Sequence, residues 1–216
     1  MRRESRVILA LDEVRPERAF MVAERTADVV DAIKINWPLV LATSPETITR
    51  LAGLAPVICD FKVADIPNTV SLIVSQAMGR GAEGVIVHGF AGSDSVRAAV
   101  EAAGSGKIFV VTEMSHPGGA EYTAPVAGSL ARMAVRCGAA GIIAPATRPE
   151  RLAALRREVG PLLILSPGVG AQGGSASEAL RMGADYVIVG RGIYGAEDPR
   201  EAALRVVREA KAVSLP

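Results

Sequence analysis

A repeating rhythm constrains this chain more than any other feature of its sequence. Short runs rich in β-branched residues recur, each followed by a polar or Gly-bearing turn and then by a helical pattern, the signature of right-handed βαβ units. Eight runs are countable: Val7 to Leu11, Ala32 to Ile35, Val57 to Lys62, Gly84 to His88, Ile108 to Thr112, Gly141 to Ala144, Leu162 to Leu165 and Tyr186 to Val189. Eight helix starts accompany them, at or near Pro16, Pro45, Pro67, Ser93, Ser129, Pro149, Ser175 and Pro199, where proline or a capping serine is favoured. One unit in roughly every 25 residues fills the chain. The pattern predicts an α/β fold, a (β/α)8 TIM barrel forming a single domain over residues 1–216. An open doubly wound sheet shares the alternation, and the Gly-rich endings of the last two strands favour closure.

Composition agrees with a layered parallel sheet. Half of the residues are hydrophobic but only 4% are aromatic, so the interior must be built from Ala, Val, Ile and Leu. A formal net charge of +1 supplies no basic field for nucleic acid. The two cysteines, Cys59 and Cys137, are far apart and form no CxxC pair, which suggests neither a disulfide framework nor a zinc site and points to a reducing cytoplasm. The opening MRRESRVILALDE has a basic start, but its apolar run ends at Asp12 and reads as a first strand, not a signal peptide. No apolar stretch approaches the ~20 residues of a membrane span, so no membrane is expected as a partner.

Strand ends carry the chemistry. Asp12, Lys34, Asp60 with Lys62, His88, Thr112, Ser166 and Arg191 stand at or near the ends of seven of the eight runs, and in a barrel those ends form one rim. Along the third run side chains alternate, so Ile58, Asp60 and Lys62 share a face opposite Cys59 and Phe61. Asp65 follows at the turn before Pro67, where an acid also suits a helix N-terminus. Of the 24 basic residues only four are lysine, and two of these, Lys34 and Lys62, lie on inner strands. Lysine can exchange a proton near neutral pH when its surroundings are tuned, and arginine cannot. A carboxylate ~4 Å from Lys62 is worth about 4 kcal/mol at an effective dielectric of ~20, more than desolvation takes away. Lys62 is therefore expected to be a charged ammonium and a proton donor.

The last two strands run into SPGVGAQGG, opened by Ser166 and Pro167, and GRGIYGAEDP, opened by Gly190 and Arg191. Glycine backbone and a forked guanidinium at that place suit a phosphate dianion. After the fifth run, SHPGGAEYTAPVAG is longer than usual and reads as an active-site lid or as a surface insertion. His88 reads equally as a core residue or a substrate contact. Neither His88 nor His116 has partners at metal-ligand spacing, and no metal or cofactor is expected.

At these motifs the chain resembles the orotidine 5′-phosphate decarboxylase family, in its smaller, archaeal-type form. The resemblance is carried by LALD, KINWPLVL, CDFKVADIPNT, IVHGF, TEMSHPG, TRPERL, SPGVGAQGG and IVGRGIY. It implies decarboxylation of orotidine 5′-monophosphate to uridine 5′-monophosphate, the last step of pyrimidine synthesis, without metal or cofactor. It implies that Asp12 and Lys34 hold the ribose hydroxyls and the charged network, and that Asp60, Lys62 and Asp65 surround the reacting carbon. Thr69 would reach the ribose and Ser115 the pyrimidine edge. Gln172 and Arg191, with Pro167 and Gly190 beside them, would hold the phosphate, and Gln172 would bridge back to Ser115. Asp65 and Thr69 would come from the neighbouring subunit, making a homodimer the working unit. A DxKxxD element also marks Mg2+-dependent hexulose-phosphate synthases and keto-gulonate-phosphate decarboxylases, which resemblance says carry glutamate where this chain has Lys34. A phosphosugar-binding barrel without catalysis would keep the Gly-rich loops but has no reason to keep Asp60, Lys62 and Asp65 together.

Overall fold

The computed structural model describes residues 4–213. The ends of the predicted 1–216 domain, including Arg2 and Arg3 of its basic start, lie outside the described residues. Eight parallel strands, β1 (Val7–Leu11), β2 (Ala32–Ile35), β3 (Val57–Val63), β4 (Gly84–His88), β5 (Lys107–Val111), β6 (Gly141–Ile143), β7 (Leu163–Pro167) and β8 (Tyr186–Val189), follow one another around a closed barrel. Closure is made by β1 pairing with β8, Val7 opposite Val187 and Leu9 opposite Val189. The open-sheet alternative is thereby removed.

Alternation along the strands sorts their residues into two cores. Ile8, Ile58, Ile86, Phe109, Leu165 and Tyr186 fill the barrel interior. Their neighbours Leu9, Cys59, Val85, Val110, Ile164 and Val187 face outward into the helical layer. The helices answer with small and branched residues on one stripe: Pro16–Thr26 buries Ala19, Val22, Ala23 and Thr26, an i, i+3, i+4, i+7 pattern. Each Val or Leu so buried contributes about 1.5–3 kcal/mol. Where sheet neighbours crowd, only glycine fits; a Cβ on Gly141 would collide with the Leu163 carbonyl oxygen.

Strand limits follow the expected runs closely, with β3 and β7 two residues or fewer longer at their C-terminal ends. Expected helix starts are matched at Pro16, Pro67, Ser93, Pro149 and Pro199. Ser175 caps the helix Ala176–Arg181 by accepting the Glu178 N–H at 3.2 Å. The helix expected near Ser129 begins at Ala127. Three short α-helices in the strand-to-helix connections, Trp37–Ala42, Gly119–Tyr122 and Arg191–Tyr194, and two 3-10 turns, Gly89–Ala91 and Ala124–Val126, have no counterpart in the expected pattern. Among the described residues no helix is long and apolar enough to cross a membrane.

Candidate active site

At the C-terminal end of the barrel a cavity of about 330 Å³ is lined by residues from β1, β2, β3 and from the connections after β5, β7 and β8. Its floor is charged. Asp60, 6% exposed, accepts a hydrogen bond from Lys34 Nζ at 2.8 Å and from Lys62 Nζ at 2.8 and 2.9 Å. Lys34, itself buried, also lies 4.0 Å from Asp12 Oδ1. That Asp12 oxygen is buried and has no hydrogen-bond partner among the described residues. The result is an Asp12–Lys34–Asp60–Lys62 chain of alternating charge.

Burial raises the Asp60 carboxyl, but the ammonium groups of Lys34 and Lys62 outweigh it and hold the pKa below its ordinary value. Asp60 is therefore a carboxylate, and each lysine head lies against a negative oxygen. An ion pair this deep is retained at a desolvation cost of several kcal/mol per charge unless its geometry is good and its hydrogen bonds are satisfied. Both conditions are met at Asp60.

The third strand presents Lys62 by a local irregularity that alternation alone does not reveal. Cys59 pairs with Val85 and Val63 with Val87, so β3 spends four steps where β4 spends two. Inside this bulge Lys62 adopts φ +45°, a left-handed conformation that costs a non-glycine residue on the order of 1–3 kcal/mol. The strain is held from outside the barrel. Trp37 donates its Nε1–H to the Phe61 carbonyl at 3.2 Å, and its ring stacks on Phe61 with centroids 4.3 Å apart. Bulges of this kind re-aim side chains next to active sites.

Opposite the charged floor the wall is mostly backbone. Pro167, Gly168, Val169, Ala171, Gln172, Gly190 and Arg191 line it. Gly168, Gly170 and Gly173 have φ of +101°, +73° and +92°, which side chains rarely tolerate. At Gly168 a Cβ would stand 2.9 Å from Thr147 Cγ2 and 3.5 Å from both Gln172 Oε1 and Ser115 Cβ. Ser115 and Gln172 thus approach one point from two connections, although no hydrogen bond joins them among the described residues. Arg191 and Gln172 are exposed at the mouth.

The connection after β5 is fixed in place. Thr123 Oγ1 accepts the Met114 N–H at 3.1 Å and donates to the Gly119 carbonyl at 2.8 Å. Glu113, fully buried, is gripped by Arg148 Nη1 at 2.9 Å and Arg151 Nε at 2.7 Å. Arg151 also reaches the Ala124 carbonyl at 2.6 Å. The segment expected as a lid or insertion is therefore anchored at its base. Glu113, Arg148 and Arg151 escaped the sequence reading; the signal available was the pair of arginines in TRPERL, three residues apart on one helix start.

Nine of the eleven candidate residues line the cavity: Asp12, Lys34, Asp60, Lys62, Ser115, Pro167, Gln172, Gly190 and Arg191. Asp65 and Thr69 do not. Asp65 is exposed, caps its own turn through the Ile66 N–H at 2.7 Å, and has its carbonyl held by Ser95 Oγ at 2.7 Å. Thr112 and Ser166 turn away into the sheet, donating to the Ile143 and Ala144 carbonyls at 2.9 and 2.8 Å. They are structural links, not rim groups. His88 lies beside Phe90, centroids 4.5 Å apart, with a buried Nδ1 that has no hydrogen-bond partner among the described residues. Burial first, and the Lys62 charge second, press its pKa down to about 4, so it is neutral at physiological pH.

Comparison with known proteins gives one consistent result. The family model described as orotidine 5′-phosphate decarboxylase / HUMPS family matches residues 5–206. A protein of Methanosarcina mazei named orotidine 5′-phosphate decarboxylase is 54% identical over 215 residues, covering 98% of each chain. One of the same name from Thermococcus kodakarensis is 52% identical over 209 residues, covering 95% of this chain and 97% of the other. Among solved structures, orotidine 5′-monophosphate decarboxylase from Methanocaldococcus jannaschii, complexed with an inhibitor, superposes with a TM-score of 0.90 at 43% identity, covering 94% of this chain and 97% of that one.

Proposed function

The chain belongs to the orotidine 5′-phosphate decarboxylase / HUMPS family, and from that premise we propose that it converts orotidine 5′-monophosphate to uridine 5′-monophosphate and CO2. The observation that carries this reading is the Asp60 carboxylate clasped by two ammonium groups at 2.8 Å on the floor of the cavity. The named relatives are decarboxylases, so the activity is that of a carbon–carbon lyase. In the reaction the bond between ring carbon and carboxylate breaks, CO2 leaves, and the electron pair stays on the ring carbon. The Lys62 ammonium stabilises that charge and then gives up a proton to it, becoming an amine that solvent reprotonates. A fixed positive charge aimed at developing negative charge needs no reorganisation during the reaction. Asp60 holds Lys62 in place, and Lys34 with Asp12 offers donor and acceptor for the ribose hydroxyls.

Gln172, Arg191 and the backbone at Pro167 and Gly190 take the phosphate in this reading, and Ser115 takes the pyrimidine edge. Binding energy gained at the phosphate, remote from the ring, is available to drive positioning. Asp65 and Thr69 serve the site of a second copy, since in their own chain they lie outside the cavity. The working unit is then a homodimer with a site shared across its interface, cytoplasmic and free of metal and cofactor. Favouring a metal-free site over the Mg2+-dependent synthases is Lys34, whose Nζ occupies the ground between Asp12 and Asp60. The direct test is product analysis: orotidine 5′-monophosphate should yield uridine 5′-monophosphate and CO2 in equal amounts. No product from that nucleotide, with turnover of a hexulose or keto-gulonate phosphate instead, would overturn the proposal.

A further inference from the structure

We propose that Arg148, on the connection after β6, is a positioning residue for Ser115; the inference rests on the functional reading above, in which Ser115 meets the substrate ring. One guanidinium spans three acceptors. Its Nη1 donates to Glu113 Oε1 at 2.9 Å and to the Met114 carbonyl at 2.8 Å, and its Nη2 donates to the His116 carbonyl at 2.9 Å. Ser115 is the residue between those two carbonyls. Its own carbonyl accepts from Thr147 Oγ1 at 3.1 Å, so residues 147 and 148 hold all four consecutive residues from 113 to 116.

The planar fork of an arginine fixes relative orientation as well as distance, which a lysine point charge cannot do. Glu113 supplies the reason the fork stays put. Its carboxylate is fully buried, and a buried carboxylate left without partners is strongly disfavoured. Arg151 engages the same carboxylate at 2.7 and 2.8 Å, leaving Arg148 free to turn its remaining donors onto the backbone. Ser115 is thereby fixed at the cavity wall, its Cβ against the bare backbone of Gly168. Placement within about 0.5 Å decides whether such a contact is productive.

A double-mutant cycle on turnover of orotidine 5′-monophosphate tests this. Ser115→Ala and Arg148→Met should each lower kcat/KM by about 10- to 100-fold, and the double variant should be no worse than Ser115→Ala within about twofold. The two single variants should also divide their loss between kcat and KM in the same way, while inhibition by inorganic phosphate stays unchanged. Should Arg148→Met fail to fold, Arg148→Lys keeps the charge beside Glu113 without the fork and should show the same loss and the same non-additivity. Losses that multiply in the double variant, or full activity in Arg148→Lys, would overturn the inference. A wild-type protein inert toward the nucleotide would overturn the functional reading, and this inference with it.

Discussion

On the β1–β3 side of the cavity the working groups are charged side chains rooted in strands, whereas on the β7–β8 side the wall is glycine-rich backbone with two exposed polar side chains at its edge. The first side is over-determined. Asp60 is bonded to two lysines, Lys62 sits in a strained bulge, and Trp37 braces that bulge from outside. The second side has left-handed glycines at 168, 170 and 173 and few side-chain bonds crossing it. Charge stabilisation rewards groups that do not move during the reaction. Capturing a phosphate rewards backbone that approaches closely and adapts. The difference teaches where substitutions should act on chemistry and where they should act on binding.

The largest effect is expected on the fixed side. Lys62→Ala should lower kcat on the order of 10⁴-fold, since in the proposed mechanism it removes both proton donor and charge, and Asp65→Ala should be nearly inactive as well. Mixing the two variants sharpens the point. If Asp65 acts across a dimer interface, a mixed dimer has one site with both defects and one with intact Lys62 from its own chain and intact Asp65 from its partner. With free exchange at equal input, roughly a quarter of wild-type activity should return. A mixture as inactive as its parents, with mixed dimers demonstrated, would mean that Asp65 serves its own subunit.

On the adaptable side, Arg191→Ala should raise KM and also lower kcat, by about 10²-fold in kcat/KM, because a charged hydrogen bond to a phosphate is worth roughly 1.5–3 kcal/mol and part of it drives positioning. Steady-state kinetics on the full nucleotide checks this. Unchanged constants would remove Arg191 from the site and would break the division of labour between the two sides. The smallest effect returns to the fixed side. Trp37→Phe keeps the ring but loses the bond to the Phe61 carbonyl, worth about 1 kcal/mol, and should lower kcat by about fivefold with KM little changed. A change confined to KM would show that the bulge does not need that brace.

The barrel was legible because hydrophobic alternation and turn chemistry repeat eight times, and each repeat restates the same instruction. Alternation also placed Asp60 and Lys62 on one face correctly. What it could not reveal was the bulge, since a left-handed lysine is decided by pairing with β4 and by Trp37, not by the residues CDFKV themselves. Thr112 and Ser166 show the converse error: a hydroxyl at a strand end looks like a rim group, but the neighbouring carbonyl took it. From sequence the anchored connection after β5 reads as a lid or an insertion, because glycine and proline signal irregular chain. They do not report Glu113, whose partners Arg148 and Arg151 arrive from more than 30 residues away.

The central claim is that a pair of lysines around one buried carboxylate performs the decarboxylation with no metal. Its most direct test follows the loss of orotidine 5′-monophosphate absorbance after exhaustive chelation, with the chelator kept in the assay. If Lys34 and Lys62 supply the positive charge that a cation would otherwise bring, the rate should equal that of the untreated protein. Activity that vanishes on chelation and returns with Mg2+ would contradict the account and move the chain to the metal-dependent branch.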